Sequence, residues 1–135
     1  MATRRAPRAR PLDPRGFELE ADRIRVLANP KRLMIVSVLG EGPATVSEIA
    51  ERLALSLQNT SQHLRVMRDG HLVRSERSGR EVRYALTTPI FSECCRLVRS
   101  ALLEEARLRR SEVGRVGRYA WTVSTDSRPG IPVPP

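Results

Sequence analysis

Between Leu57 and Arg65 the chain carries a run of side chains suited to directional hydrogen bonding: Gln58, Asn59, Thr60, Ser61, Gln62 and His63, then Arg65. Asn and Gln amides match the donor and acceptor edge of adenine, hydroxyls serve several bases, and guanidinium groups match guanine. A surface helix that only covers a core is usually rich in Lys, Glu and Arg, and the start of this one is not. Ser56 stands before it as an N-cap, and backbone amides at such an end also suit phosphate. Taken alone, the run describes a solvated helix start equally well. A second group follows: Arg74, Arg77, Arg80 and Arg83 set against Glu76 and Glu81. Its chemistry is contact with phosphates or the minor groove. The third distinctive group is the adjacent pair Cys94-Cys95.

The surrounding elements favour nucleic acid for the first two groups. Thr45 and Glu48 have the spacing of a capping box. Val46, Ile49, Ala50 and Leu53 then share one helical face. A break at Ala54-Leu55-Ser56 leads into a second helix ending near Asp69. Its predicted apolar side is Leu57, Leu64 and Met67, joined by the small Thr60 and Ser61, with Gly70 as a left-handed C′ residue. Val73, Ser75 and Arg77 alternate on one predicted strand and Val82, Tyr84 and Leu86 on the next, with Gly79 at the tip. Two short helices, a tight turn and a basic hairpin describe a winged helix-turn-helix. Its predicted DNA-contacting residues are Ser56, Gln58, Asn59, Thr60, Ser61, Gln62, His63, Arg65, Arg77, Arg80 and Arg83.

Two helices precede this unit and one follows. Phe17, Ala21, Ile24 and Ala28 mark a first helix over Phe17–Ala28. Asn29-Pro30 breaks it, because the residue before Pro is pushed out of the α region, and Pro30 suits the start of the next helix. Leu33, Met34, Ile35, Val36, Val38 and Leu39 make that helix the expected buried centre, closed by Gly40-Glu41-Gly42-Pro43. Pro89 opens the last helix, running to about Arg110. Its stripe is Ile90, Cys94, Leu97, Val98, Ala101, Leu102 and Leu108, with Phe91 and Cys95 alongside. The stripes of the first and last helices exceed what so small a body covers. They are expected to pack on each other and across a two-fold axis, giving a homodimer suited to an inverted repeat. The fold class is mostly α with a small β-hairpin, about five helices plus a wing.

Three segments carry a family pattern: Ala28-Asn29-Pro30-Lys31-Arg32-Leu33, Ser61 to Val73, and Gly79 to Leu86. Over about Phe17 to Leu108 the chain resembles the ArsR/SmtB family of bacterial repressors. The resemblance implies a dimer built from first and last helices and an operator released by an inducer. His71 departs from the family's usual Gly or Asn. The Cys-x-Cys of the arsenic-sensing members is replaced by Ser47-Glu48-Ile49, and the long-helix zinc site of other members has no counterpart beyond Pro89.

A formal charge of +9 over 135 residues favours an acidic partner, nucleic acid or an anionic membrane. The excess lies on the two tails and in residues 57–88, while 17–56 is slightly acidic. No apolar run approaches a membrane span and no secretory signal follows the N-terminal arginines, so double-stranded DNA in the cytoplasm is the expected setting. Residues 1–15 read as a disordered basic arm, 16–110 as the DNA-binding and dimerisation domain, and 111–135, with its lone Trp121, as a flexible tail. Two histidines eight residues apart do not make a zinc site. No phosphate loop or catalytic constellation is present, so no enzyme is expected. Cys94 and Cys95 are read three ways: as packing, as a thiol or redox sensor shared between subunits, or as a soft-ion site for As(III) or Sb(III) needing a third thiolate. The alternatives to a sensing repressor are a DNA binder without thiol sensing, constitutive or regulated by an organic ligand, and a basic RNA-binding module.

Overall fold

The computed structural model describes residues 11–109. Most of the expected basic arm and the tail with Trp121 lie outside them. Helix α1 spans Pro14–Leu27, three residues earlier than the apolar spacing alone predicts. Asp13 is the reason: its Oδ1 accepts from the Arg15 N–H at 3.0 Å, with Pro14 at the first helical position. The helix therefore reaches back into the stretch expected to be disordered. At the other end Asn29 caps α2 (Pro30–Leu39), accepting from the N–H groups of Lys31 at 2.9 Å and Arg32 at 3.2 Å.

Strand β1 (Ala44–Thr45) leads directly into α3 (Val46–Leu53). The predicted capping box forms. Thr45 Oγ1 accepts from the Glu48 N–H at 3.2 Å, and Glu48 Oε2 accepts from the Thr45 N–H at 3.0 Å. Helix α4 spans Leu57–Asp69, strand β2 Val73–Ser78, strand β3 Glu81–Leu86 and helix α5 Ile90–Leu108. The hairpin register pairs Val73 with Leu86, Ser75 with Tyr84 and Arg77 with Val82, as the alternation predicts. Gly79, with φ +63°, takes the first central position of its two-residue turn, the type II′ geometry that suits twisted strands. The sheet has a third strand that the sequence does not announce. β1 pairs antiparallel with β3, Ala44 opposite Tyr84, so the order is β1-β3-β2.

The core gathers around α2. Ile35 and Val36 are fully buried with Ile49 of α3, Leu64 and Met67 of α4, and Leu72. The inner side of α5 closes it with Phe91 and the buried Cys95, and Arg99 Nη1 donates to Ser37 Oγ at 3.2 Å. Within one chain α5 packs on α2, while α1 packs on α2 and α4. The expected packing of α1 directly on α5 is not a principal contact of the single chain.

Both helices of the central pair end in the same hydrogen-bonded motif. After α3 the Leu55 N–H donates to the Ala50 carbonyl and the Ala54 N–H to that of Glu51. After α4 the Leu72 N–H donates to Met67 and the His71 N–H to Arg68. This is the Schellman pattern, whose C′ residue must be left-handed. The C′ residues are Ala54, with φ 51°, and His71, with φ 58°. Gly70 was expected in that role, but its φ is −81°. What requires glycine there is proximity: a Cβ on Gly70 would lie 2.8 Å from Val26 Cγ2, so the end of α4 sits hard against α1. Left-handed backbone costs a residue with a Cβ roughly 1 kcal/mol. His71→Gly is therefore expected to raise stability by about 0.5–1 kcal/mol, read as a higher denaturant midpoint. An unchanged or lower midpoint would mean that the imidazole contributes enough to offset the strain.

Candidate DNA interface

Helix α4 has two chemically distinct sides. Thr60, Leu64 and Met67 face the core and are fully buried. Gln58, Ser61, Gln62 and Arg65 are exposed, as are Asn59 and Arg68. The spacing explains the division: 60, 64 and 67 fall on one helical face, and 58, 62 and 65 on the opposite one. Ser56 caps the helix, its Oγ accepting from the Asn59 N–H at 3.0 Å, so this hydroxyl already serves the helix end.

Two assignments from the sequence change. Thr60 was counted among the DNA contacts, yet it is 0% exposed and its Oγ1 donates to the Ser56 carbonyl at 2.9 Å. It belongs to the core, its hydroxyl satisfied within its own helix. Leu57 and Ser61 were assigned to the apolar side, yet both are exposed, Leu57 to 57%. At the first position of α4, Leu57 has no preceding turn to shelter it.

His63 lies between the two sides and is half-buried. Burial, and then the positive charges of Arg32 and Lys31, push its imidazole below the ordinary histidine value. Both effects favour the neutral imidazole, which has one donor and one acceptor to offer. Those same neighbours add a feature the sequence reading missed: the first turn of α2 sets Lys31 and Arg32 beside α4. In the sequence the Ala28–Leu33 segment reads as a helix boundary and as part of the family pattern, and nothing local says which helix it faces.

The four wing arginines fall into two pairs. Arg83 lies near Glu48 of α3 at 3.5 Å and Glu81 at 3.4 Å, and donates to the Pro43 carbonyl at 3.4 Å. It ties the inner strand of the wing to the start of the helix pair. Arg74 pairs with Glu76 at 2.8 Å and donates to the Leu86 carbonyl at 2.6 Å. Arg77 and Arg80 are exposed and have no acidic or hydrogen-bonding partner among the described residues, so their charge faces solvent at the wing's tip. Among the described residues no group of three or more His, Cys, Asp or Glu side chains is placed to hold a metal ion. No described helix is long and apolar enough to cross a membrane.

A helix pair with a polar outer face and a wing carrying free guanidinium groups defines a winged helix-turn-helix of the transcription-regulator class. Comparison with known proteins gives the same class. A helix-turn-helix domain family matches residues 27–76, from the end of α1 into the wing. The transcriptional regulator NmtR of Mycobacterium tuberculosis is 39% identical over 76 residues, which is 56% of this chain and 63% of NmtR. The regulator YgaV of Escherichia coli is 36% identical over 70 residues, 51% of this chain and 71% of YgaV. The homodimeric winged helix-turn-helix DNA-binding domain of Mb0332 from Mycobacterium bovis, described as a possible ArsR-family regulator, superposes with a TM-score of 0.60 at 25% identity, covering 76% of this chain and 94% of that one. The chain belongs to the ArsR/SmtB family, whose members are DNA-binding transcriptional regulators and not enzymes.

Proposed function

We propose that the protein is a homodimeric repressor that binds an inverted repeat in duplex DNA through α4 and the wing. The two-sided character of α4 carries this reading. Its core side fixes the helix while Gln58, Asn59, Ser61, Gln62 and Arg65 remain free to meet base edges in a major groove. Arg77 and Arg80 would contact phosphates beside it, setting register and affinity rather than sequence. Arg83 serves chiefly to hold the wing in place.

The reading is tested with fluorescence anisotropy at fixed salt, comparing DNA from upstream of the protein's own gene with random duplex and with structured RNA. A preference of at least about 100-fold for a duplex containing an inverted repeat is expected. Equal affinity for all duplexes, or tighter binding to RNA, would overturn it. Arg80→Ala is expected to weaken specific and random duplex alike and to lower the slope of log affinity against log salt by about 1.

The inducer is proposed to act through Cys94. Support comes from the division of the pair: Cys95 is buried, and burial raises its thiol, whereas Cys94 is exposed on the outer side of α5. A low-pKa, accessible thiol is the reactive kind, and Cys95 is neither. Three-coordinate As(III) or Sb(III) fits less well, because a dimer would present only two outward thiols. A peroxide could take two electrons and two protons from a pair of Cys94 thiols, giving an intersubunit disulfide and water. Release of the operator by peroxide or persulfide from wild type and Cys95→Ser, but not from Cys94→Ser, is the expected result. Equal release from all three would place the sensor elsewhere.

A further inference from the structure

We infer that Leu57 reads the 5-methyl group of a thymine in each operator half-site, which rests on the DNA-binding reading above. Its helix companions Leu64 and Met67 are fully buried, yet Leu57 is 57% exposed. It sits at the first position of α4, beside Gln58 and one turn before Ser61, at the helix end that would enter a major groove on the DNA-binding reading. The major-groove edge of thymine presents an acceptor and a methyl group, and the methyl is the feature an apolar side chain distinguishes.

The apolar stripes best suited to a second copy lie elsewhere in the fold, on α1 and α5, and α4 meets α1 at its other end, where Gly70 abuts Val26. That end is about 20 Å along the helix from Leu57. No ion pair or hydrogen bond of its own side chain is available to a leucine, so sequence preference is the one property its substitution should change. In the free protein it contributes little to folding, which makes it a clean position to vary.

The experiment starts from the tightest duplex selected out of a random pool. Each thymine in turn is replaced by deoxyuridine, which removes the methyl and leaves every hydrogen-bonding group. Wild type should lose about fourfold at one thymine per half-site, and about fifteenfold when both half-sites are changed, the worth of one buried methyl each. Leu57→Ala and Leu57→Gln should be indifferent to that replacement. If wild type tolerates deoxyuridine everywhere, or if the variants remain sensitive at the same position, Leu57 is not the reader. A failure of the pool to yield any preferred duplex would instead overturn the DNA-binding reading itself.

Discussion

Leu97→Glu is expected to leave a folded monomer that binds the operator at least about 100-fold more weakly than wild type. Leu97 is 61% exposed in the single chain, midway along a row formed by Ile90, Cys94, Leu97 and Ala101. A glutamate there meets water in the monomer and costs the fold little. In a dimer formed over this row, two carboxylates would be taken out of water near a two-fold axis, at several kcal/mol for the pair. Loss of the dimer then removes the effective concentration that links two half-sites, commonly worth 10²–10⁴ in affinity. Sedimentation with anisotropy on the same samples checks both parts, and a thermal melt checks folding. A variant that remains dimeric, or a monomer that keeps wild-type affinity, would show that the α5 stripe is not the interface.

That stripe was legible in the sequence because the spacing of apolar residues needs no tertiary information. So were the capping box at Thr45, the cap at Ser56 and the register of the wing, each set within a few residues of chain. The misreadings share a cause: they turned on what lies beside a residue rather than on its type. Leu57 has the composition of a core position, but at the first turn of α4 it has nothing above it. Thr60 has the composition of a DNA contact, but it falls on the same face as Leu64 and Met67 and its hydroxyl turns back to Ser56. Gly70 looks like a helix terminator for its backbone freedom, whereas it is needed for the approach of Val26. The left-handed residue is His71, the one position where the chain departs from the family's Gly or Asn. The two residues of β1 carry no pattern long enough to read; they become a strand because β3 lies alongside.

The cysteine pair shows the same limit from another side. Helical geometry alone states that neighbours point about 100° apart, so that only one can face outward. It does not state which. Packing of α5 on α2 decides it, turning Cys95 inward beside Phe91 and leaving Cys94 on the row that includes Leu97. A sensing thiol on that row would act on dimer geometry directly, by an amount equal to its differential effect on the DNA-competent and incompetent states.

Leu64→Ala and Gln58→Ala are expected to separate the two functions of α4 completely. Leu64 is fully buried at the junction of α2, α3 and α4. Its truncation should cost about 3 kcal/mol through lost burial and the cavity left behind. That corresponds to a fall in melting temperature of about 15 °C for a domain of this size. Protein that remains folded at low temperature should keep its order of preference among operator variants, since no base contact has been removed. Gln58→Ala should melt within about 2 °C of wild type, as surface substitutions usually do. It should lose about 1–3 kcal/mol of discrimination at one base pair per half-site. Leu64 positions the helix and Gln58 uses the position. If Gln58→Ala keeps full preference at every base pair, the outer face of α4 is not what reads the operator. If folded Leu64→Ala changes its preference, the two sides of the helix are coupled and the core also sets how α4 lies in the groove.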